Sequence, residues 1–354
     1  MIGLPRIKPS GPSPSPIMLV GEAPGESEVI LNKPFAGASG QELTKMLAEA
    51  GIDRNVCYIT NVFLSQPPRN NSDFFFVSTK EATPESKSLG AVGKGKYINQ
   101  LYIDEVYRLR DEILVVKPQI IVALGSVAMW ALLGKTGIGT YRGVAESWTS
   151  PDPSYNPIIL PTFHPTAVLR NWQLRAIAIA DLKKAARHLD KDYSDSVSNE
   201  TLSIKINPIL QEIHDFVPLA YSAPFQSIDV ETKANQIRTI SFTISPGSAF
   251  VIPFWDSGVG NYWKTLDEEV EAISCIRTIL SSPCPKIFQN GAYDIQYIWK
   301  TWGVPVLGPL EDTMLLHHAL QPELQKGLGF LGSIYLDRPA WKVWRKEHAE
   351  KKDD

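Results

Sequence analysis

Six short stretches of this sequence hold reactive side chains where a turn or a strand end would present them. The first is Gly21-Glu22-Ala23-Pro24-Gly25, a carboxylate in a tight turn directly after the apolar run 17–20. Such a turn lies at the carboxyl end of a strand, the edge where open α/β sheets place their ligands. Lys33-Pro34-Phe35-Ala36-Gly37 fixes an aromatic ring between Pro and Gly, and Tyr58-Ile59-Thr60-Asn61-Val62 ends a strand with an amide that both donates and accepts. Phe163-His164-Pro165-Thr166-Ala167-Val168-Leu169-Arg170 adds an imidazole after another strand. In the back half, Ser227-Ile228-Asp229-Val230-Glu231-Thr232 puts two carboxylates on one strand face, because side chains alternate with period two. Two acids so placed suit a divalent cation with oxygen ligands. Gln289-Asn290-Gly291-Ala292-Tyr293-Asp294 brings a further acid in the first turn of a helix. Singly, each has a plainer reading. A Gly-rich turn is more often a phosphate cradle or a simple turn, a lone His is more often structural, and Asp-x-Glu is common on surface strands. Asp312, before the apolar run 313–316, reads as a helix cap rather than a ligand.

The scaffold that positions these pieces is legible in the pattern between them. A chain of 354 residues, 44% apolar and 21% charged, is sized for two globular domains. Strands at 17–20, 56–62, 119–124 and 158–160 alternate with helices at about 40–50, 102–114, 126–133 and 171–189, which implies a parallel sheet covered on both faces. A polar insertion occupies about 69–97. Residues 191–203, rich in Ser, Asp and Asn, read as a linker between a first domain at 1–190 and a second at 204–354. The second restarts with strands at 225–230, 239–244, 249–253 and 286–289 and helices at 267–280, 292–302 and 312–320. The net charge of -3 excludes a wholly basic coat, so any nucleic-acid contact must come from local basic patches. Three cysteines without metal-ligand spacing fit a reducing compartment, and the chain reads as cytoplasmic, with no apolar run long enough to span a membrane.

As an ordered set, the front pieces resemble family 4 uracil-DNA glycosylases over roughly 17–190, with Tyr141-Arg142-Gly143 and Asp181-Leu182-Lys183-Lys184 extending the likeness. The resemblance implies a three-layer parallel-sheet fold and a base taken out of the DNA stack. It casts Phe35, with Ala23 and Pro24, as the surface that holds the flipped uracil, and Asn61 as the reader of its amide edge. His164 would stabilise charge on the leaving base and Glu22 would sit by the sugar. Leu169 and Arg170 look like a wedge entering the duplex, and Arg175, Lys183, Lys184 and Arg187 give the next helix a basic side for phosphates. The family usually holds an iron–sulfur cluster on four cysteines. This half has Cys57 alone, and the family's Cys-Arg-Pro-Pro reads Ser65-Gln66-Pro67-Pro68, so no cluster is expected.

The back half resembles the 3'–5' exonucleases of family A DNA polymerases, which implies a ribonuclease H-like mixed sheet. The likeness makes Asp229, Glu231 and Asp294 ligands for Mg²⁺ or Mn²⁺ in a two-metal hydrolysis. The family's third motif, a Tyr with an Asp four residues later, is missing. His348 and Asp353 have the five-residue step of a sister branch, but stand in a charged tail. The two halves together imply a DNA partner and a polymerase domain or subunit, as in phage-type replication proteins. The rival reading is a non-catalytic DNA-binding module that docks a polymerase.

Overall fold

The structure, a computed structural model, describes residues 3–190, 202–256, 258 and 260–336. The expected linker at 191–203 therefore lies almost wholly outside the described residues, as do His348 and Asp353. Compactness divides the described chain into two units: 3–190 together with 329–336, and 202–328. The sequence division assigned all of 204–354 to the second domain, whereas the chain rejoins the first unit at Gly329.

In the first unit the strands are β1 (Ile17–Gly21), β2 (Cys57–Asn61), β3 (Phe76–Ser78), β4 (Lys96–Ile98), β5 (Ile120–Leu124), β6 (Glu146–Ser147) and β7 (Ile158–Thr162). The helices are α1 (Glu26–Leu31), α2 (Ala38–Glu49), α3 (Pro84–Ser88), α4 (Ile103–Val116), α5 (Ser126–Leu133), α6 (Ile138–Tyr141), α7 (Pro165–Arg170) and α8 (Leu174–Arg187). The main sheet runs β2-β1-β5-β7-β6, parallel except for β6 at its edge. Its central strands are apolar throughout because both faces are covered. Along β1, Ile17 and Leu19 join a core with Leu43, Leu47, Ala178 and Leu182 of α2 and α8, while Met18 and Val20 join Val106, Leu109 and Ala128 of α4 and α5. That alternation makes the three layers.

The stretch 69–97 was expected as a polar insertion. It is built into the core instead: β3 and β4 pair antiparallel, and fully buried Phe75 stacks on Phe63 with ring centroids 4.0 Å apart. The signal was the run Phe74-Phe75-Phe76, too apolar for a free loop.

The second unit holds β8 (Ser203–Ile206), α9 (Leu210–Tyr221), β9 (Gln226–Lys233), β10 (Gln236–Thr243), β11 (Ser248–Pro253), β12 (Trp255–Asp256), β13 (Gly260–Asn261), α10 (Leu266–Leu280), β14 (Lys286–Phe288), α11 (Gly291–Trp302), β15 (Leu310–Asp312) and α12 (Thr313–Leu320). Its sheet order is β15-β14-β9-β10-β11-β8. Strands β9, β10 and β11 form an antiparallel meander, and β14 and β15 run parallel to β9. This is the ribonuclease H-like mixed arrangement. A last helix, α13 (Leu328–Tyr335), carries the chain back into the first unit.

Candidate functional site

In the first unit the candidate residues converge at the carboxyl ends of β1, β2 and β7. Gly21 closes β1, and a Cβ placed there would come within 2.2 Å of Asn61 Oδ1 and 2.6 Å of Phe35 Cζ. Only glycine lets the amide and the ring meet at this point. The Phe35 and His164 rings face each other with centroids 5.6 Å apart and planes tilted by 33°. Phe35 is buried in a left-handed backbone conformation with φ +53°, so something must hold it there. Two residues that sequence reasoning passed over supply the hold. Buried Glu28 accepts from the backbone N–H groups of Phe35 and, at 2.7 Å, Gly25, and Arg54 donates to the carbonyls of Phe35 at 2.9 Å and Gly40 at 2.8 Å. The spacing Gly25-x-x-Glu28, a capping-box pattern, was the available signal.

Asn61 is buried, and its Nδ2 has no hydrogen-bond partner among the described residues. An unpaired buried donor costs about 1–3 kcal/mol, so it is a group awaiting an acceptor. His164 caps α7: its Nδ1 accepts from Thr166 N at 3.1 Å. The neutral ring therefore carries its proton on Nε2. Burial and then the charge of Arg170 lower its pKa from 6.5 to about 4. At neutral pH His164 is thus an uncharged donor. Glu22 is half-buried, and burial raises its carboxyl above the ordinary range. The segment 69–97 also reaches it, with a hydrogen bond from Ser72 pulling the other way and the charge of Asp73 adding to the rise. Ala23 and buried Pro24 continue the same turn.

Leu169 is 46% exposed and Arg170 is exposed, which suits an insertion element. Trp172, 63% exposed, stands beside them under the Arg175 guanidinium at 5.0 Å and was missed in the sequence. The basic side expected of the following helix needs correction at two positions. Arg175 is held by Glu42 at 2.7 Å and by Glu49 through two contacts, so its charge is already neutralised. Lys184 is fully buried and cannot reach a phosphate. Lys183 and Arg187 stay exposed.

The thiols do not fit an iron–sulfur cluster. Cys57 is buried against the Asp53 carbonyl, with its pKa pushed up to about 12 by burial, and Cys275 and Cys284 belong to the second unit. Ser65 pairs with Arg6 of the N-terminal segment in a β-bridge, and Arg6 forms an ion pair with Glu105 at 2.5 Å.

In the second unit Asp229 and Glu231 are exposed on one face of β9, as the alternation required. Asp294 is buried and accepts from Val230 N at 2.9 Å, which ties α11 to β9 beyond its pairing with β14. Its pKa is raised to about 6 by burial first, with the charge of Asp229 adding. The three acids are neighbours, but among the described residues no group of three or more His, Cys, Asp or Glu side chains is disposed to hold a metal ion. The acids present do not fit a closed metal site. One Asp294 oxygen accepts from the backbone of β9, and the assignment of Mg²⁺ or Mn²⁺ to these acids is a proposal taken up below. Asp312 is a cap, as expected, and a double one. It accepts from Met314 N at 2.8 Å and Leu315 N at 3.4 Å at the start of α12, and from Asn290 N at 3.1 Å and Gly291 N at 2.8 Å at the start of α11. Burial pushes its carboxyl up, but these four bonds outweigh burial and leave it below the ordinary value.

Residues 9–190 match the Uracil DNA glycosylase superfamily. The chain belongs to the uracil-DNA glycosylase superfamily. Its first unit is 33% identical over 180 residues to the type-4 uracil-DNA glycosylase of Thermotoga maritima, covering 50% of this chain and 79% of that protein. Against the type-4 enzyme of Saccharolobus solfataricus it is 32% identical over 185 residues, covering 51% and 74%. Among solved structures, Brucella melitensis NrnC with bound Mg²⁺ aligns at 19% identity with a TM-score of 0.28, over 44% of this chain and 66% of that one. Trypanosoma brucei RNase D aligns at 13% and 0.30, over 44% and 51%. The chain spans less than two thirds of either structure, and strand order rather than these likenesses carries the fold of the second unit. No helix of the described residues is long and apolar enough to cross a membrane.

Proposed function

We propose that the first unit excises uracil, or a closely related damaged base, from DNA by hydrolysing its N-glycosidic bond. The observation that carries this reading is the convergence at Gly21 of an aromatic ring, a buried unpaired amide donor and a neutral imidazole. A flipped pyrimidine stacks on Phe35, and Asn61 Nδ2–H donates to a carbonyl of its pairing edge. As the bond from sugar to base breaks, the electron pair leaves with the base, and His164 Nε2–H donates to the oxygen on which that charge collects. A neutral donor serves here without first having to gain a proton. Glu22, ionised, orients water or favours positive charge at the sugar. Leu169 fills the gap left in the stack while Arg170 and Lys183 meet phosphates.

For the second unit we propose an exonuclease-like domain that holds a nucleic-acid 3' end and works beside a DNA polymerase domain or subunit. Asp229, Glu231 and Asp294 are the acids it would offer to Mg²⁺ or Mn²⁺. The missing Tyr and Asp of the third exonuclease motif favour weak trimming by this chain alone. The first test is cleavage by hot alkali of a labelled single strand carrying one uracil, after incubation with the protein. Cleavage at the uracil supports the reading. Tight binding of the oligonucleotide without cleavage would favour the non-catalytic DNA-binding alternative.

A further inference from the structure

Within the first unit, a helix ends against two buried cations. Arg142 and Lys184 are 2% and 0% exposed, and Asp181 between them is 0% exposed. Arg142 Nε donates to Asp181 Oδ2 at 2.9 Å, and Thr162 Oγ1 donates to the same oxygen at 2.7 Å. Buried cations must be met by acceptors. The end of α13 supplies several. Arg142 donates to Ser333 Oγ at 2.9 Å and to the Ser333 carbonyl at 3.1 Å. Lys184 Nζ donates to the same carbonyl at 2.8 Å and to that of Leu336. These are last-turn carbonyls, which lack partners within a helix and form the negative end of its dipole. Gly143 completes the seat. Its φ is +69°, and a Cβ there would stand 2.4 Å from Asp181 Oδ1 and 3.0 Å from the Ser333 carbonyl.

We infer that Arg142, Gly143, Asp181 and Lys184 form a receptor for a helix C-terminus, and that residues 329–336 occupy it as a latch. The first unit is then assembled from two stretches of chain separated by the whole of the second unit. This inference is independent of the base-excision reading. The ligand class is the carbonyl end of a short helix, and the closeness of the Ser333 carbonyl leaves no room for a side chain at Gly143. Lys184, expected at a phosphate, instead donates to peptide carbonyls.

The test uses the full chain with a protease site introduced within 191–201. After cleavage, the two pieces are expected to elute as one species on gel filtration, since residues 329–336 stay seated. Ser333→Ala removes one hydroxyl contact and leaves the carbonyls, so its pieces also co-elute. Ser333→Arg drives a third cation into the seat, and its pieces are expected to part. Wild-type pieces that separate, or Ser333→Arg pieces that stay together, would overturn the inference. A second measurement covers the case in which Ser333→Arg does not fold. In the uncut wild type, the amides of 333–336 are expected to exchange hydrogen as slowly as those of α8. Exchange at the rate of an unstructured peptide would overturn the latch regardless of the variants.

Discussion

Replacing Asn61 with leucine should move stability and activity in opposite directions. The amide lies at the end of β2, is 1% exposed, and has an Nδ2 with no partner among the described residues. Burying such a donor costs about 1–3 kcal/mol, which a side chain of similar shape without polar atoms removes. In a unit of this size each kcal/mol shifts the melting midpoint by about 2–4 °C. Asn61→Leu is therefore expected to melt no earlier than wild type, and up to several degrees later. Excision should fall, because leucine leaves the flipped base's polar edge unpaired in the pocket, at about 1–3 kcal/mol or roughly ten- to a hundredfold in single-turnover rate. The assays are differential scanning calorimetry of the free protein and uracil release under single-turnover conditions. A midpoint several degrees lower would mean that the amide supports the fold rather than awaiting substrate. An unchanged excision rate would mean that Asn61 does not read the base.

Four further outcomes follow from the geometry. The pH–rate profile of excision should rise as pH climbs through the raised pKa of Glu22 and show no inflection near 6.5, because His164 stays neutral down to about 4; an inflection near 6.5 that vanishes in His164→Gln would contradict this. The same shift has a sign for stability. The folded ring resists protonation that the unfolded ring accepts, so stability is full above about 6.5, declines as pH falls toward 4 and then levels, by at most roughly 3 kcal/mol, and wild type should lose more of its melting midpoint over that window than His164→Gln. Arg170→Ala should lower the slope of log affinity against log salt by about one, while Arg175→Ala, already neutralised by Glu42 and Glu49, should leave that slope unchanged in filter binding. Asp312→Ala uncaps α11 and α12 together and should destabilise the second unit by about 2 kcal/mol or more, visible as a lower midpoint in urea.

The elements that place the first site were legible because their signals are local. β1, β2, β5 and β7 are apolar runs ending in turn or polar residues, and Gly51 and Gly134 stop helices where the left-handed backbone requires it. What stayed hidden depends on groups distant in sequence. Glu28 and Arg54 act on the backbone of Phe35, so their side-chain types do not announce the role. Ser72 and Asp73 reach Glu22 only because Phe75 anchors their segment in the core. Lys184 looks like any surface lysine until Ser333, 149 residues away, meets it. The turn between β9 and β10 escaped notice although Asn235, at a positive φ of +65° beside Ala234 at +50°, was an available signal. In the second unit the two-residue step from Asp229 to Glu231 survives intact, since strand periodicity alone sets it. Whether those acids close around a metal is a property of side-chain placement, which the sequence does not encode locally.

The most direct check on the central claim is mass-spectrometric measurement of free base released from a single-stranded oligonucleotide with one uracil, comparing wild type with His164→Ala. The account predicts stoichiometric free uracil from wild type, and a single-turnover rate lower by about a hundredfold or more in the variant, the usual loss when one donor to a developing anion is removed. Free uracil absent from wild type that still binds the oligonucleotide, or released equally by both proteins, would contradict it.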